Sequence, residues 1–187
     1  MSISKRDELV QKALKIFYRD GFHATGMDTL VKETGISKTS MYKHFRTKED
    51  LILATLRLRD ELFRNYFIRR VEELASDPKE QLHVMFDVLK EWFEQKDFRG
   101  CMFVKASGEY PDHDTAILNT AAEHKKLLLQ FVTDLARKAG ARDPELLARQ
   151  LMILKEGAAV LAHIKGPDGI ADDARMAGDD LINSHCA

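Results

Sequence analysis

The sequence predicts an all-α chain of about nine helices: three short ones in front, one long connector, then larger amphipathic helices. Three observations predict this. Apolar residues recur at helical spacing, and no stretch alternates apolar with polar in the manner of a strand. The four prolines all fall at element boundaries. Side chains suited to capping stand just before four of the periodic stretches, at Ser37, Thr47, Asp77 and Asp143.

The first helix is expected from about Lys5 to Arg19, with Leu9, Val10, Ala13, Leu14 and Phe17 on one face. Gly21 ends it and lets Phe22 fold back onto that face. A second helix runs from about Met27 to Thr34, with Leu30 and Val31 inward, and Gly35 closes it. Ser37 caps a third, about Lys38 to Phe45, whose Met41 and Phe45 point inward. The segment TKED at Thr47 has the form of a capping box and starts a long fourth helix towards Leu74. Asp77 and Pro78 begin the fifth, which carries Leu82, Met85, Phe86, Leu89 and Phe93. The stretch FRGCMFVKASGEYPD is the least regular and is expected to hold a short sixth helix between Gly100 and Pro111. A seventh follows from about Thr115 to Lys138. Asp143 and Pro144 start the eighth, which lasts to about Lys165, and the ninth spans about Ile170 to Ser184.

Composition narrows the functional classes. Apolar residues make up 44% and charged residues 32%, as expected of a folded, soluble chain. No apolar run reaches the roughly 20 residues a membrane span needs, and the polar N-terminus has no signal-peptide core, so no membrane association and a cytoplasmic location are expected. Residues 1–50 carry 10 Lys and Arg against 7 Asp and Glu, while the other 137 carry 19 against 23. A basic front on an acidic body suits a nucleic-acid-binding head.

The second and third short helices, joined through Gly35, make a helix-turn-helix. Lys38, Thr39, Ser40 and Lys43 would face outward from the third helix, short enough to enter a DNA major groove about 12 Å wide. Tyr42, His44 and Lys48 flank that face and could donate to phosphate, as could the first backbone N–H groups of the fourth helix. A three-helix bundle with a solvated basic face would show the same pattern.

The segment GFHATGMDTLVKETGISKTSMYKHFRTKEDLILATL resembles the DNA-binding head of the TetR/AcrR family of bacterial transcriptional regulators. The resemblance covers residues 5 to about 56, and TGIS-x-x-x-MY-x-HF-x-x-KEDL is its most specific part. It implies Thr39, Ser40 and Lys43 near bases, with Tyr42, His44 and Lys48 on phosphates. It also implies Thr25 near phosphate at the start of the second helix. One departure is Gly26, where the family usually has a second hydroxyl residue. It further implies a head over residues 1–47 and a ligand-binding, dimerising body over 48–187. RGCMFVKASGEYPD also looks like a stretch found in one branch of these regulators.

In the body, Phe63, Phe67, Met85, Trp92, Phe93, Met102, Phe103, Tyr110 and Phe131 could line an apolar cavity, or could simply be core. Few charges mix with them, which points to an apolar or aromatic effector. Cys101 could be a sensor thiol, with Lys105 one helical turn on, or a small buried apolar residue. Cys186 is expected to be exposed and incidental. The two cysteines form no disulfide framework. The histidines at 23, 44, 83, 113, 124, 163 and 185 show no zinc spacing, so no metal is expected, and no cofactor motif is present. Glu109, Asp112 and Asp114 read as caps rather than a catalytic pair. Leu147, Leu151, Leu154, Ala158 and Leu161 on the eighth helix, and Ile170, Ala174, Ala177 and Leu181 on the ninth, form stripes suited to an isologous four-helix dimer interface.

The expected function is therefore a homodimeric, ligand-responsive repressor, not an enzyme, that binds a palindromic double-stranded DNA operator and is released by a small effector. The alternatives are an activator or a thiol-sensing regulator on the same fold, or an all-helical small-molecule-binding protein or enzyme.

Overall fold

In the computed structural model, residues 4–112 and 115–186 are described; His113 and Asp114, named above among the histidines and acidic residues, lie outside them. The described residues form nine helices and no strand: α1 (Lys5–Asp20), α2 (Met27–Thr34), α3 (Lys38–His44), α4 (Lys48–Leu74), α5 (Pro78–Phe93), α6 (Met102–Glu109), α7 (Ala116–Lys138), α8 (Pro144–Lys165) and α9 (Ile170–His185). No helix among them is long and apolar enough to cross a membrane. The chain divides into two compact units. One holds Met1–Leu62 and Met102–His124, and the other Phe63–Cys101 and Lys125–Ala187.

In the first unit, α1 buries Leu9, Ala13 and Phe17 completely, and Phe22, Leu30 and Met41 complete that core. Burying side chains of this size stabilises by about 1.5–3 kcal/mol each. Val31, expected inward, is only half-buried. The helix starts are set locally. The Ser37 hydroxyl accepts from the Ser40 N–H at 3.3 Å. Thr47 and Asp50 form a reciprocal box: the Asp50 N–H donates to Thr47 Oγ1 at 3.0 Å, and the Thr47 N–H to Asp50 Oδ2 at 3.1 Å.

In the second unit, α5, α8 and α9 pack together. Leu82, Met85, Phe86, Val88 and Leu89 from α5 are buried with Leu147, Ala148 and Leu151 from α8 and Ala171, Ala174 and Ile182 from α9. Lys90, Asp87 and His83 on α5 meet Asp172, Arg175 and Asp179 on α9 in antiparallel order, joining the two helices by a ladder of charges. They approach closely at Gly178: a Cβ there would lie 2.7 Å from Phe86 Cζ. Cys186 is buried, contrary to the exposure expected of it near the end of the chain. The last turn of α9 is tied down, with the Arg142 N–H donating to the His185 carbonyl and Lys79 Nζ to the Cys186 carbonyl, each at 3.0 Å.

Candidate nucleic-acid interface

Gly35 ends α2 with φ 71° and donates its N–H to the Val31 carbonyl. That left-handed step turns the chain into α3 at little cost only for glycine. Thr34 wires the same turn from within. Its hydroxyl donates to the Leu30 carbonyl at 2.7 Å and accepts from the Ile36 N–H at 3.2 Å. Lys12 of α1 caps the Thr34 carbonyl at 2.9 Å. Arg19 Nη2 donates to both Glu33 oxygens, fastening α2 to α1 a second time.

On this support α3 buries Met41 and presents the opposite side. Lys38, Thr39, Tyr42, Lys43 and His44 are exposed and Ser40 is half-buried. Tyr42 keeps 46% exposure, high for an aromatic ring. Between Gly35 and Lys48 there is no acidic residue, while Lys38, Lys43, Arg46 and Lys48 are basic. Lys38 has one partner across the surface, Asp28, at 3.3 Å. Seven residues of helix span about 10 Å, a length that fits across a major groove.

Of the expected contact residues, Thr25 faces inward, and the half-buried Lys48 gives two of its N–H donors to the same turn. Thr25 is 1% exposed, and its hydroxyl donates to the Gly21 carbonyl at 2.7 Å. Lys48 Nζ donates to the carbonyls of Phe22 at 3.0 Å and Thr25 at 3.3 Å. Both hold the α1–α2 turn. Gly26 begins α2 without a side-chain cap, as its departure from the resemblance implied. Arg46 was missed by sequence reasoning. It is exposed in the α3–α4 turn, and its position inside HFRTK was the available signal.

The α1–α2 turn is also gripped by α6. Glu109 accepts the Phe22 N–H at 3.0 Å and the His23 N–H at 2.5 Å. It therefore caps a distant turn rather than its own helix boundary. Gly21, at φ 88°, adopts a backbone conformation that favours glycine, and a Cβ there would also fall 2.9 Å from Glu109 Oε1. Tyr110 packs edge-on against His23 at 4.6 Å. Burial, followed by the charges of Glu49 and Glu109, pushes its phenol up to about 12. Lys105 Nζ donates to the Tyr18 carbonyl at 2.9 Å.

The comparisons with known proteins agree with this geometry. The family model described as "Bacterial regulatory proteins, tetR family" matches residues 9–55. A TetR transcriptional regulator from Streptomyces avermitilis is 30% identical, with 98% of each chain covered and a TM-score of 0.84. This chain belongs to the TetR family. A second solved TetR-family regulator, from Streptomyces coelicolor, is 26% identical with a TM-score of 0.91 over 97% of this chain and 96% of its own. The HTH-type transcriptional repressor KstR2 of Mycolicibacterium smegmatis is 36% identical over 84 residues, 44% of this chain and 40% of its own. As a TetR-family member the protein is a DNA-binding transcriptional regulator, and its relatives are regulators rather than enzymes.

The residues expected around an effector divide between the two units. Phe63, Phe67, Met85, Trp92, Phe93 and Phe131 fall in the second, and Met102, Phe103 and Tyr110 in the first. In the second, Trp92 meets Phe63 at 4.8 Å and Phe98 at 5.0 Å between ring centroids, and Phe67 meets Phe131 at 6.4 Å. In the first, Phe103 stacks on His124 at 3.7 Å, and His124 Nδ1 lies 2.7 Å from Asp60. His124 and Asp60 also border a cleft of about 450 Å³ with Arg57, Asn119, Thr120 and Glu123.

Cys101 precedes α6, so Lys105 does not share a helical face with it. Lys125 is the neighbouring ammonium, 3.3 Å from the sulfur. Of the expected dimer residues, Leu147, Leu151, Ala158 and Ala174 are buried within the protomer, Leu154, Ile170 and Leu181 are half-buried, and Leu161 and Ala177 are exposed. Ile153, Val160 and Ile164 on α8 and Met176 on α9 are exposed beside them; Ile153 and Ile164 each keep 71% exposure.

Proposed function

We propose that this protein is a ligand-responsive repressor that binds a palindromic operator as a homodimer and is released by a small effector. The observation that carries the reading is α3 itself. A short helix fixed on a buried core exposes Thr39, Tyr42, Lys43 and His44 from a segment free of acidic residues. In this reading residues 1–47 form the head and 48–187 the body. Thr39, Ser40 and Lys43 approach bases, while Lys38, Tyr42, His44 and Arg46 meet phosphates. Lys48 joins them through its third N–H, the other two being given to Phe22 and Thr25. Thr25 acts by holding the turn.

The exposed apolar residues of α8 and α9 support the dimer. Ile153, Val160, Leu161, Ile164 and Met176, with the exposed Gly157 between them, form a patch that water disfavours. Pairing such a patch with itself gives the two-fold symmetry that a palindrome demands. KstR2, which is named as a repressor, supports the repressor direction. An effector that prefers the DNA-free form about 100-fold weakens operator binding by about 2.7 kcal/mol. The short distance between Cys101 and Lys125 supports a second reading, in which the thiol is the sensor.

The test is selection of bound duplexes from a random pool, followed by anisotropy titration of the winner at two salt concentrations. A two-fold symmetric winner whose affinity falls steeply with salt is expected. Lys43→Ala should change which sequences win, whereas Arg46→Ala should weaken all of them alike and lower the salt slope by about 1. A selection that enriches nothing, or an asymmetric winner bound by a monomer, would defeat the reading.

A further inference from the structure

Lys155 breaks the pattern of its own helix. It stands in phase with Leu151, Ala158, Ala159 and Ala162, all buried, and is itself 1% exposed. Its ammonium reaches Glu156 Oε1 at 2.8 Å and lies over the Phe63 ring at 5.6 Å. The other oxygen of Glu156 accepts from Lys125 at 2.6 Å, and Lys125 continues to Cys101 Sγ at 3.3 Å. Both carboxylate oxygens are therefore engaged. Two ammonium groups share one carboxylate, which leaves a surplus positive charge against Phe63 and its ring neighbour Trp92. A charge held in such surroundings without a full counter-charge is costly, and apolar residues usually replace it. Where a fold keeps such a violation, function is the first explanation to test. The cluster also has a wet side, since the side chains of Lys125 and Glu156 keep 30% and 26% exposure while that of Lys155 keeps 1%.

We propose that Lys155 and Lys125 receive the carboxylate head of a monoanionic effector whose apolar or aromatic body lies along the Phe63 and Trp92 rings. The proposal rests on the effector-responsive reading above and adds the effector's charge. It refines the expectation of an apolar or aromatic effector by adding one negative charge, which the sequence did not reveal because these lysines come from distant parts of it. The carboxylate completes the charge balance that Glu156 begins, and each lysine has N–H donors beyond those Glu156 accepts.

Trp92 is the sole tryptophan, so tryptophan emission arises beside this cluster. The experiment titrates the full-length protein with benzoate and hexanoate, and in parallel with benzamide and hexanamide. It reads Trp92 emission and release of a selected operator duplex. The expected result is carboxylate binding at least about tenfold tighter than amide binding, equal to about 1.4 kcal/mol. In Lys155→Met that ratio should fall to near one, with a melting temperature equal to or above wild type. Carboxylate and amide acting alike, including neither acting, overturns the proposal. So does a marked loss of stability in Lys155→Met, which would make the lysine structural. Rapid alkylation of Cys101 by iodoacetamide near neutral pH in a Cys186→Ser background, abolished by Lys125→Gln, would assign the missing negative charge to a thiolate and overturn it too. Release of the operator by both probe types would keep the effector reading and sink the charge assignment. Carboxylate-selective emission changes with the operator still bound would keep the site and sink the regulatory use of it.

Discussion

The reading helix and the Lys155 cluster use charge in opposite ways. Around α3 the bases lie on the surface, spaced along one short segment, and the cap that starts the helix comes from within three residues. In the cluster, residues 101, 125, 155 and 156 come together from three parts of the chain, and Lys155 is sealed from solvent. The difference teaches where each region is vulnerable. The head can lose a surface lysine and keep its fold, because exposed charges contribute little to stability. The cluster cannot lose its single carboxylate without leaving two ammonium groups facing each other.

Glu156→Gln should accordingly do the most damage of any single change in either region, at about 3 kcal/mol near neutral pH. Burial by itself would raise the Glu156 carboxyl, but Lys155 and then Lys125 outweigh it and hold it near 2, against an ordinary 4.5. A depressed carboxyl contributes its stability in full above the unfolded value and loses it as pH falls through the folded one. Wild type should therefore lose melting temperature between about pH 4.5 and 2, while Glu156→Gln, already weaker, should show a flatter acid limb over that window. Parallel acid limbs in the two proteins would show that the cluster does not bind its charges as described.

Gly178→Ala separates packing from charge within the same unit. The added methyl would press on the buried Phe86 ring, and overpacking of this kind costs about 2 kcal/mol. Urea denaturation should show a lower midpoint with an unchanged acid limb. If the midpoint does not move, the α5–α9 contact is looser than the geometry indicates.

Glu109→Gln brings the comparison to the head. The glutamine retains one, neutral, acceptor, so one of the two N–H groups of the α1–α2 turn loses its partner and the other loses its charge assistance, at about 1–1.5 kcal/mol. Because this turn also receives Lys48, operator affinity should fall along with stability. A fall in stability alone would mean that the turn does not position α2 and α3.

The legible parts of this molecule are the short-range ones. Ser37, Thr47, Asp77 and Asp143 cap the helices they were expected to cap, because a cap and its target are neighbours in sequence. The exposed face of α3 was readable for the same reason. Lys125 was not readable as the partner of Cys101, since 24 residues and a change of helix separate them; sequence proximity suggested Lys105, which caps Tyr18 instead. The α8 stripe shows a third case. Leu147, Leu151 and Ala158 are apolar because α8 packs within the protomer, and periodicity cannot say which neighbour covers a face. Ile153 and Ile164 lie off that stripe, and only their exposure marks them.

Thr47→Ala is the mildest of these changes and the sharpest probe of local control. It removes the acceptor for the Asp50 N–H at the first turn of α4 and leaves the Asp50 side chain to its bond with the Thr47 N–H. Loss of a hydroxyl cap costs about 1 kcal/mol. The helix itself should persist, because Leu51, Ile52 and Leu56 are buried behind its first two turns. Hydrogen exchange should therefore quicken at residues 48–51 and hardly change in α8 or α9. Arg46 and Lys48 flank the frayed turn, so operator affinity should fall severalfold while the preferred sequence stays the same. A changed sequence preference would mean that the start of α4 helps to orient α3 on the bases, and the head would then be less locally determined than its caps suggest.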